Sequence, residues 1–91
     1  MSHIAFSLPH TRTVDDAKKR IGWLAQDLGE SLMIEHRWEG DALRLTRQGA
    51  DGTITVLDGA VAVDLELSGM LAMMAGQVES QLREMLEAGL K

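Results

Sequence analysis

The chain has 91 residues with a net charge of -5, from 9 Lys plus Arg against 14 Asp plus Glu, a length that makes one small domain and excludes a multidomain enzyme. An acidic chain repels phosphate backbones, and with one Phe and two Trp as its aromatics it offers few platforms for stacking bases, so no nucleic acid partner is expected. The lack of cysteine excludes disulfides, thiolate metal sites and thiol nucleophiles, and without a basic and then apolar leader before Pro9 the expected compartment is the cytosol.

Ile4, Phe6 and Leu8 alternate with small or polar residues before Pro9, which predicts a half-buried strand over 2–8. Thr13 stands three residues ahead of Asp16 and suits a helix N-cap, while Gly29 offers a left-handed end, so a helix is predicted over Val14 to Leu28. Val14, Ala17, Ile21, Leu24, Ala25 and Leu28 share its apolar side, opposite Asp16, Lys19, Arg20 and Asp27.

From Leu32 to Leu67 the period becomes two. Turn signals at Glu39-Gly40-Asp41, Gly49 to Gly52 and Asp58-Gly59 cut this stretch into strands over 32–38, 42–48, 53–57 and 60–67. Ile34, His36, Trp38, Leu43, Leu45, Ile54, Val56, Val61, Val63, Leu65 and Leu67 fall on one face, and the charged and Thr residues between them on the other. Ser68 is placed to cap a last helix over Met70 to Leu90, with Leu71, Met74, Ala75, Val78, Leu82, Met85 and Leu86 along one stripe. The longest uncharged run, Leu67 to Val78, is far short of the roughly 20 apolar residues that cross a bilayer. Every amphipathic element must bury its apolar side, so β-α-β-β-β-β-α predicts a single α+β domain. Its fold is one curved antiparallel five-stranded sheet with both helices on one face, an abbreviated helix-grip-like arrangement.

Signals for catalysis are absent. His3, His10 and His36 have neither the mutual spacing nor the neighbouring acids of a zinc site, and no metal or cofactor is expected. His36 points inward by alternation, yet no nucleophile or orienting acid stands at a usable spacing, so it is expected to be a satisfied core or rim histidine. Asp51 and Asp58 precede glycines in turns, Asp15 and Asp16 begin a helix, and no nucleophile elbow is present. The chain is not expected to be an enzyme.

Two features suit contact with a partner. Trp23 falls on the charged side of the first helix, where either the stems of Lys19, Arg20 and Asp27 cover it or it serves an interface. In the last helix Met70 and Met73 lie outside the apolar stripe, beside Ala72, Gly76 and Ser80 at four-residue spacing. Small residues at that spacing let another backbone approach, and flexible methionine suits an adaptable apolar contact. The expected partner residues are therefore Met70, Ala72, Met73, Gly76, Ser80 and Trp23.

Pro9-His10, Arg37-Trp38-Glu39-Gly40-Asp41, Gly49 to Gly52, Leu67-Ser68-Gly69-Met70-Leu71 and Gly76-Gln77-Val78-Glu79 follow one another in an order that resembles the polyhydroxyalkanoic acid system family, also called polyhydroxyalkanoate granule-region proteins. The likeness covers nearly the whole chain. It implies a short bacterial protein associated with storage-polyester synthesis, at or near the granule, and it brings no catalytic residue. The function expected is a non-catalytic protein that binds a polyester granule surface, a granule-associated protein or a second copy of itself through the outer face of the last helix. The alternative is a helix-grip-like carrier of a small apolar ligand, which needs a pocket of several hundred Å³.

Overall fold

The computed structural model describes residues 2–90, leaving aside the side chains of Leu28, Ser31 and Leu32. In chain order it contains β1 (Ser2–Pro9), α1 (Val14–Leu32), β2 (Glu35–Glu39), β3 (Ala42–Arg47), β4 (Ala50–Leu57), β5 (Ala60–Leu67), α2 (Met70–Met73) and α3 (Ala75–Leu90). The strands form one antiparallel sheet in the order β1-β5-β4-β3-β2, the α+β architecture that the periodicity predicts. Phe6, Val63, Ile54, Leu43 and Trp38 stand opposite one another across all five strands, so one register places the apolar positions on a common face. Both long helices pack there. Ala17, Ile21 and Ala25 of α1 share a cluster with Leu86 and Leu90 of α3 and with Leu43, Ile54, Val56 and Val61 of the sheet. Leu28 of the predicted stripe lies outside the described side chains.

Thr13 caps α1 as predicted, its hydroxyl accepting the Asp16 N–H at 3.1 Å. The helix passes through Gly29, however, and ends at Met33 in the left-handed region at φ 58°. Gly29 serves a different purpose: a Cβ there would sit 2.9 Å from the Ile34 carbonyl oxygen, so its bareness lets the chain turn back closely against α1. The second strand consequently begins at Glu35 rather than residue 32.

The three hairpins have two-residue turns at Gly40-Asp41, Gln48-Gly49 and Asp58-Gly59, with positive φ at each glycine. The segment expected as a Gly49-to-Gly52 loop is mostly strand, because β4 starts at Ala50. Gly52 pairs with Leu45 on one side and Leu65 on the other, and a Cβ there would collide with the Asp64 carbonyl and approach the Leu65 Cα to 2.7 Å. It is a close-approach glycine within the sheet rather than a turn residue.

The last helix is not continuous. Gly69, at φ 60° and ψ -136°, precedes α2 in place of the expected Ser68 cap and makes no side-chain capping bond, a backbone region open to glycine almost alone. Met74 then interrupts the helix at φ -106° and ψ 15°, its N–H bonding back to the Leu71 carbonyl. At the far end α3 is held by charge. Arg12 Nε donates to the Leu90 carbonyl at 3.2 Å and Arg20 Nη1 to the Gly89 carbonyl at 3.1 Å, placing two guanidinium groups at the negative end of the helix dipole. Asp16 accepts from both, at 3.0 and 3.1 Å, and the Arg20 hydrogen bond, with Arg12 adding to it, holds the Asp16 carboxyl below its usual range.

Candidate functional site

The end of the sheet opposite this clamp is apolar and partly open. The start of β1, the end of β5, the β3–β4 turn and α2 come together there, tied by the Ser2 hydroxyl donating to the Ala72 carbonyl at 3.2 Å and the Ser68 N–H to the Gly49 carbonyl at 2.9 Å. Two of the predicted contact residues project from this end: Met70 is 82% and Met73 88% exposed. Gly76 and Ser80 are exposed on α3, and a Cβ on Gly76 would meet nothing within 4 Å. Ala72 differs from expectation. The break at Met74 separates it from Gly76 and Ser80, and it lies half-buried against the cluster of Ile4, Leu65, Leu67 and Leu82, so the small-residue row is not one continuous stripe. Trp23 is 65% exposed and is thus not covered by its charged neighbours, but it stands midway along α1, on another element from the methionines.

The sequence reading missed three features of this end. Met33, at the end of α1, is 82% exposed and lies beside Arg47 and Gln48 around one surface depression. Met74, expected in the buried stripe, stands at the break after α2 and is 45% exposed. Beneath these lies an apolar groove of about 130 Å³. Leu45, Ala50, Leu65 and Leu67 line it from the sheet, Leu71, Met74, Val78 and Leu82 from the helical side, with Arg47, Gln77 and Gln81 also at its walls. A signal for it existed: inner positions of β4 carry Ala50 and Gly52, and strand alternation sets Arg47 on the same side as Leu43 and Leu45. A wider, open hollow of about 590 Å³ beside β2 is lined by Ile34, Glu35, His36, Arg37, Arg44 and Thr46.

The three histidines sit in different environments. His36 is exposed on edge strand β2 rather than buried, its Nδ1 3.6 Å from where a Gly29 Cβ would be. His10 is the buried one: Nε2 donates to the Leu57 carbonyl at 3.0 Å and Nδ1 accepts the Arg12 N–H at 3.1 Å, the pattern of a neutral imidazole protonated at Nε2. His3 pairs with Asp64 at 2.7 Å on the solvent face, and that hydrogen bond, followed by the charge attraction, raises the His3 pKa. Among the described residues no group of three His, Asp or Glu side chains could hold a metal ion, and no helix is long and apolar enough to cross a membrane.

The family profile for "Putative polyhydroxyalkanoic acid system protein" matches residues 4–90, from the first strand to the end of α3. The chain belongs to this family. Comparison with curated proteins and with solved structures gives no match. For this polyhydroxyalkanoic acid system protein the matched span takes in every strand and both helical segments that build the methionine-bearing end.

Proposed function

We propose that the protein is a non-catalytic cytoplasmic component of storage-polyester metabolism that attaches to the polyester granule through the outer face of α2 and the start of α3. The observation that carries this reading is the pair Met70 and Met73, almost fully solvated on a four-residue helix. Exposed apolar side chains in such proximity are retained against an aggregation risk when something covers them. Methionine is flexible and polarizable, which suits an irregular polymer surface better than a rigid side chain does. A polyester carries no charge, so the net charge of -5 does not oppose contact. Trp23, exposed on α1, offers a second apolar contact on another element. A second copy of the chain or a granule protein is the other cover this face could take.

The test is Met73→Asp, alone and with Met70→Asp. Both side chains are solvated in the free protein, so circular dichroism and thermal stability should stay unchanged, whereas a charge buried in an apolar contact carries a desolvation penalty. Recruitment to granules in polyester-accumulating cells should fall severalfold. A folded variant that co-fractionates with granules like wild type overturns the reading. Loss of a sedimenting dimer in the purified variants would assign the face to self-association instead.

A further inference from the structure

The sheet ends on two edge strands, β1 and β2, and they differ in what they offer a second chain. The hairpin turns decide which backbone groups point outward. The two-residue turn at Asp58-Gly59 closes on Leu57 and Ala60 as a hydrogen-bonded pair, so Ala60 and every second residue after it bond to β4, and Val61, Val63, Leu65 and Leu67 bond to β1. Their partners are Leu8, Phe6, Ile4 and Ser2. The N–H and C=O groups of His3, Ala5 and Ser7 therefore point away from the sheet, and among the described residues no backbone group of a loop or helix bonds to them. The strand contains no Asp, Glu, Lys or Arg.

The edge at β2 is closed to such an addition. By the same parity the Gly40-Asp41 turn directs the backbone of Glu35, Arg37 and Glu39 to β3, which leaves His36 and Trp38 outward. Pairing these two with a second copy would set Glu35 against the partner's Glu39 and Arg37 against the partner's Arg37, like charges directly opposite one another. A short charged strand is one way in which an edge is protected. The β1 strand has 8 residues and no such protection.

We infer that two copies of the chain pair through their β1 edges, antiparallel about a twofold axis at Ala5, to make one continuous sheet. Ala5 then faces the partner's Ala5, and His3 the partner's Ser7, in hydrogen-bonded pairs that together exchange about six ladder bonds. No like charges meet. On the inner face Phe6 comes opposite the partner's Ile4 at the closer spacing of a non-hydrogen-bonded pair. This completes an unfinished part of the core: Ile4 and Leu8 are buried, whereas Phe6 between them is half-buried and packs against both apolar clusters, with the Arg83 guanidinium 4.6 Å from its ring. A net charge of -5 opposes association, but of the two acids opposite β1 on β5, Asp64 and Glu66, the first is already paired with His3. A single strand pair is a small interface, so association falls in the micromolar range and responds to concentration.

Sedimentation equilibrium of the full chain should show a monomer–dimer equilibrium. Ala5→Pro removes an outward N–H and leaves the β1–β5 ladder whole, as proline does on an edge strand. It should raise the dimer dissociation constant about tenfold or more, the loss expected when two hydrogen bonds across the axis are deleted. Ala5→Lys, at an exposed position, sets like charges opposite one another and serves should the first variant fail to fold. Register is read from Ala5→Cys. The chain has no cysteine of its own, and Cα atoms about 5.5 Å apart permit a disulfide, so mild oxidation should cross-link this variant severalfold faster than His36→Cys on the other edge. A chain that stays monomeric to millimolar concentration overturns the inference. So does a dimer left intact by the folded Ala5 variants, or cross-linking no faster at residue 5 than at residue 36. A dimer lost in Met73→Asp and kept in Ala5→Pro would place self-association on the methionines instead. No granule enters these measurements, so their outcome is separate from that of granule recruitment.

Discussion

The same small substitution, Gly to Ala, should move stability in opposite directions at two places in this chain. At Gly52 the added methyl would lie 2.7 Å from the Leu65 Cα and 2.8 Å from its Cδ1, and closer still to the Asp64 carbonyl oxygen. Ordinary contact begins at 3.4 Å, so relieving the Leu65 Cα alone requires β4 and β5 to separate by about 0.7 Å, the difference between 3.4 and 2.7 Å, and the Asp64 carbonyl demands more, at a point where both obstructing backbone groups belong to a paired strand. Overpacking of this kind costs about 1–3 kcal/mol, and stretching adjacent ladder hydrogen bonds, each worth about 1 kcal/mol, puts the total near the upper part of that range. For a chain of this size about 2–3 kcal/mol lowers Tm by roughly 10–20 °C. At Gly76, exposed near the start of α3, nothing lies within 4 Å of the new methyl. Removing the backbone freedom of glycine there should stabilise by about 0.5–1 kcal/mol. Urea unfolding of Gly52→Ala and Gly76→Ala beside wild type measures both. A Gly52→Ala protein within about 0.5 kcal/mol of wild type would show that the sheet yields without cost, and the close-approach reasoning would fail.

Gly29→Ala should cost about 1–3 kcal/mol in the same assay, because its methyl meets the Ile34 carbonyl oxygen at 2.9 Å and backbone has little room to yield. The raised pKa of His3 makes its pairing with Asp64 a stabilising contribution that is complete below the ordinary value of 6.5 and fades as pH rises through the folded value; the Tm gap between wild type and Asp64→Asn should therefore shrink from pH 6 to pH 8, and the His3 pKa measured by NMR should fall in the variant. Asp16 has the opposite sign. Its lowered pKa gives stability present above the ordinary 3.8 and lost as pH falls through the folded value, so Asp16→Asn should be less stable than wild type at pH 6, with the difference vanishing in strong acid.

Alternation and helical spacing made the architecture legible, because each is a property of consecutive residues. The row from Phe6 through Val63, Ile54 and Leu43 to Trp38 needs only parity and turn positions. What misled were glycines whose purpose lies in another segment. Gly29 reads as a helix end and Gly52 as a loop residue, yet each is bare because a distant backbone passes close by, which no local pattern encodes. The contact surface was half legible for the same reason. Met70 and Met73 fall outside the apolar stripe in any helical projection, but the interruption at Met74, which separates half-buried Ala72 from Gly76 and Ser80, is not encoded in that projection. Arg47 on the apolar side of β3 was readable from parity, had the alternation been carried to the last residue of the strand.

The position of β1 has a consequence for how the chain acquires its structure. Strands β2 to β5 are joined by two-residue turns, so each can zip onto its predecessor with minimal loop closure. The first strand is different, since Ser2 meets Leu67 and Pro9 meets Ala60. It is made first but has no neighbour until almost the whole meander exists. Until it docks, the outer edge of β5 offers unpaired backbone groups next to Val61, Val63 and Leu65, the kind of edge on which a second chain can add. Sheet completion should then be the slow, concentration-sensitive stage of refolding, limited by a contact of long sequence separation. Pulse-labelling hydrogen exchange should find β3 and β4 protected before β1. Simultaneous protection of all five strands would instead mean that the first strand joins the nucleus.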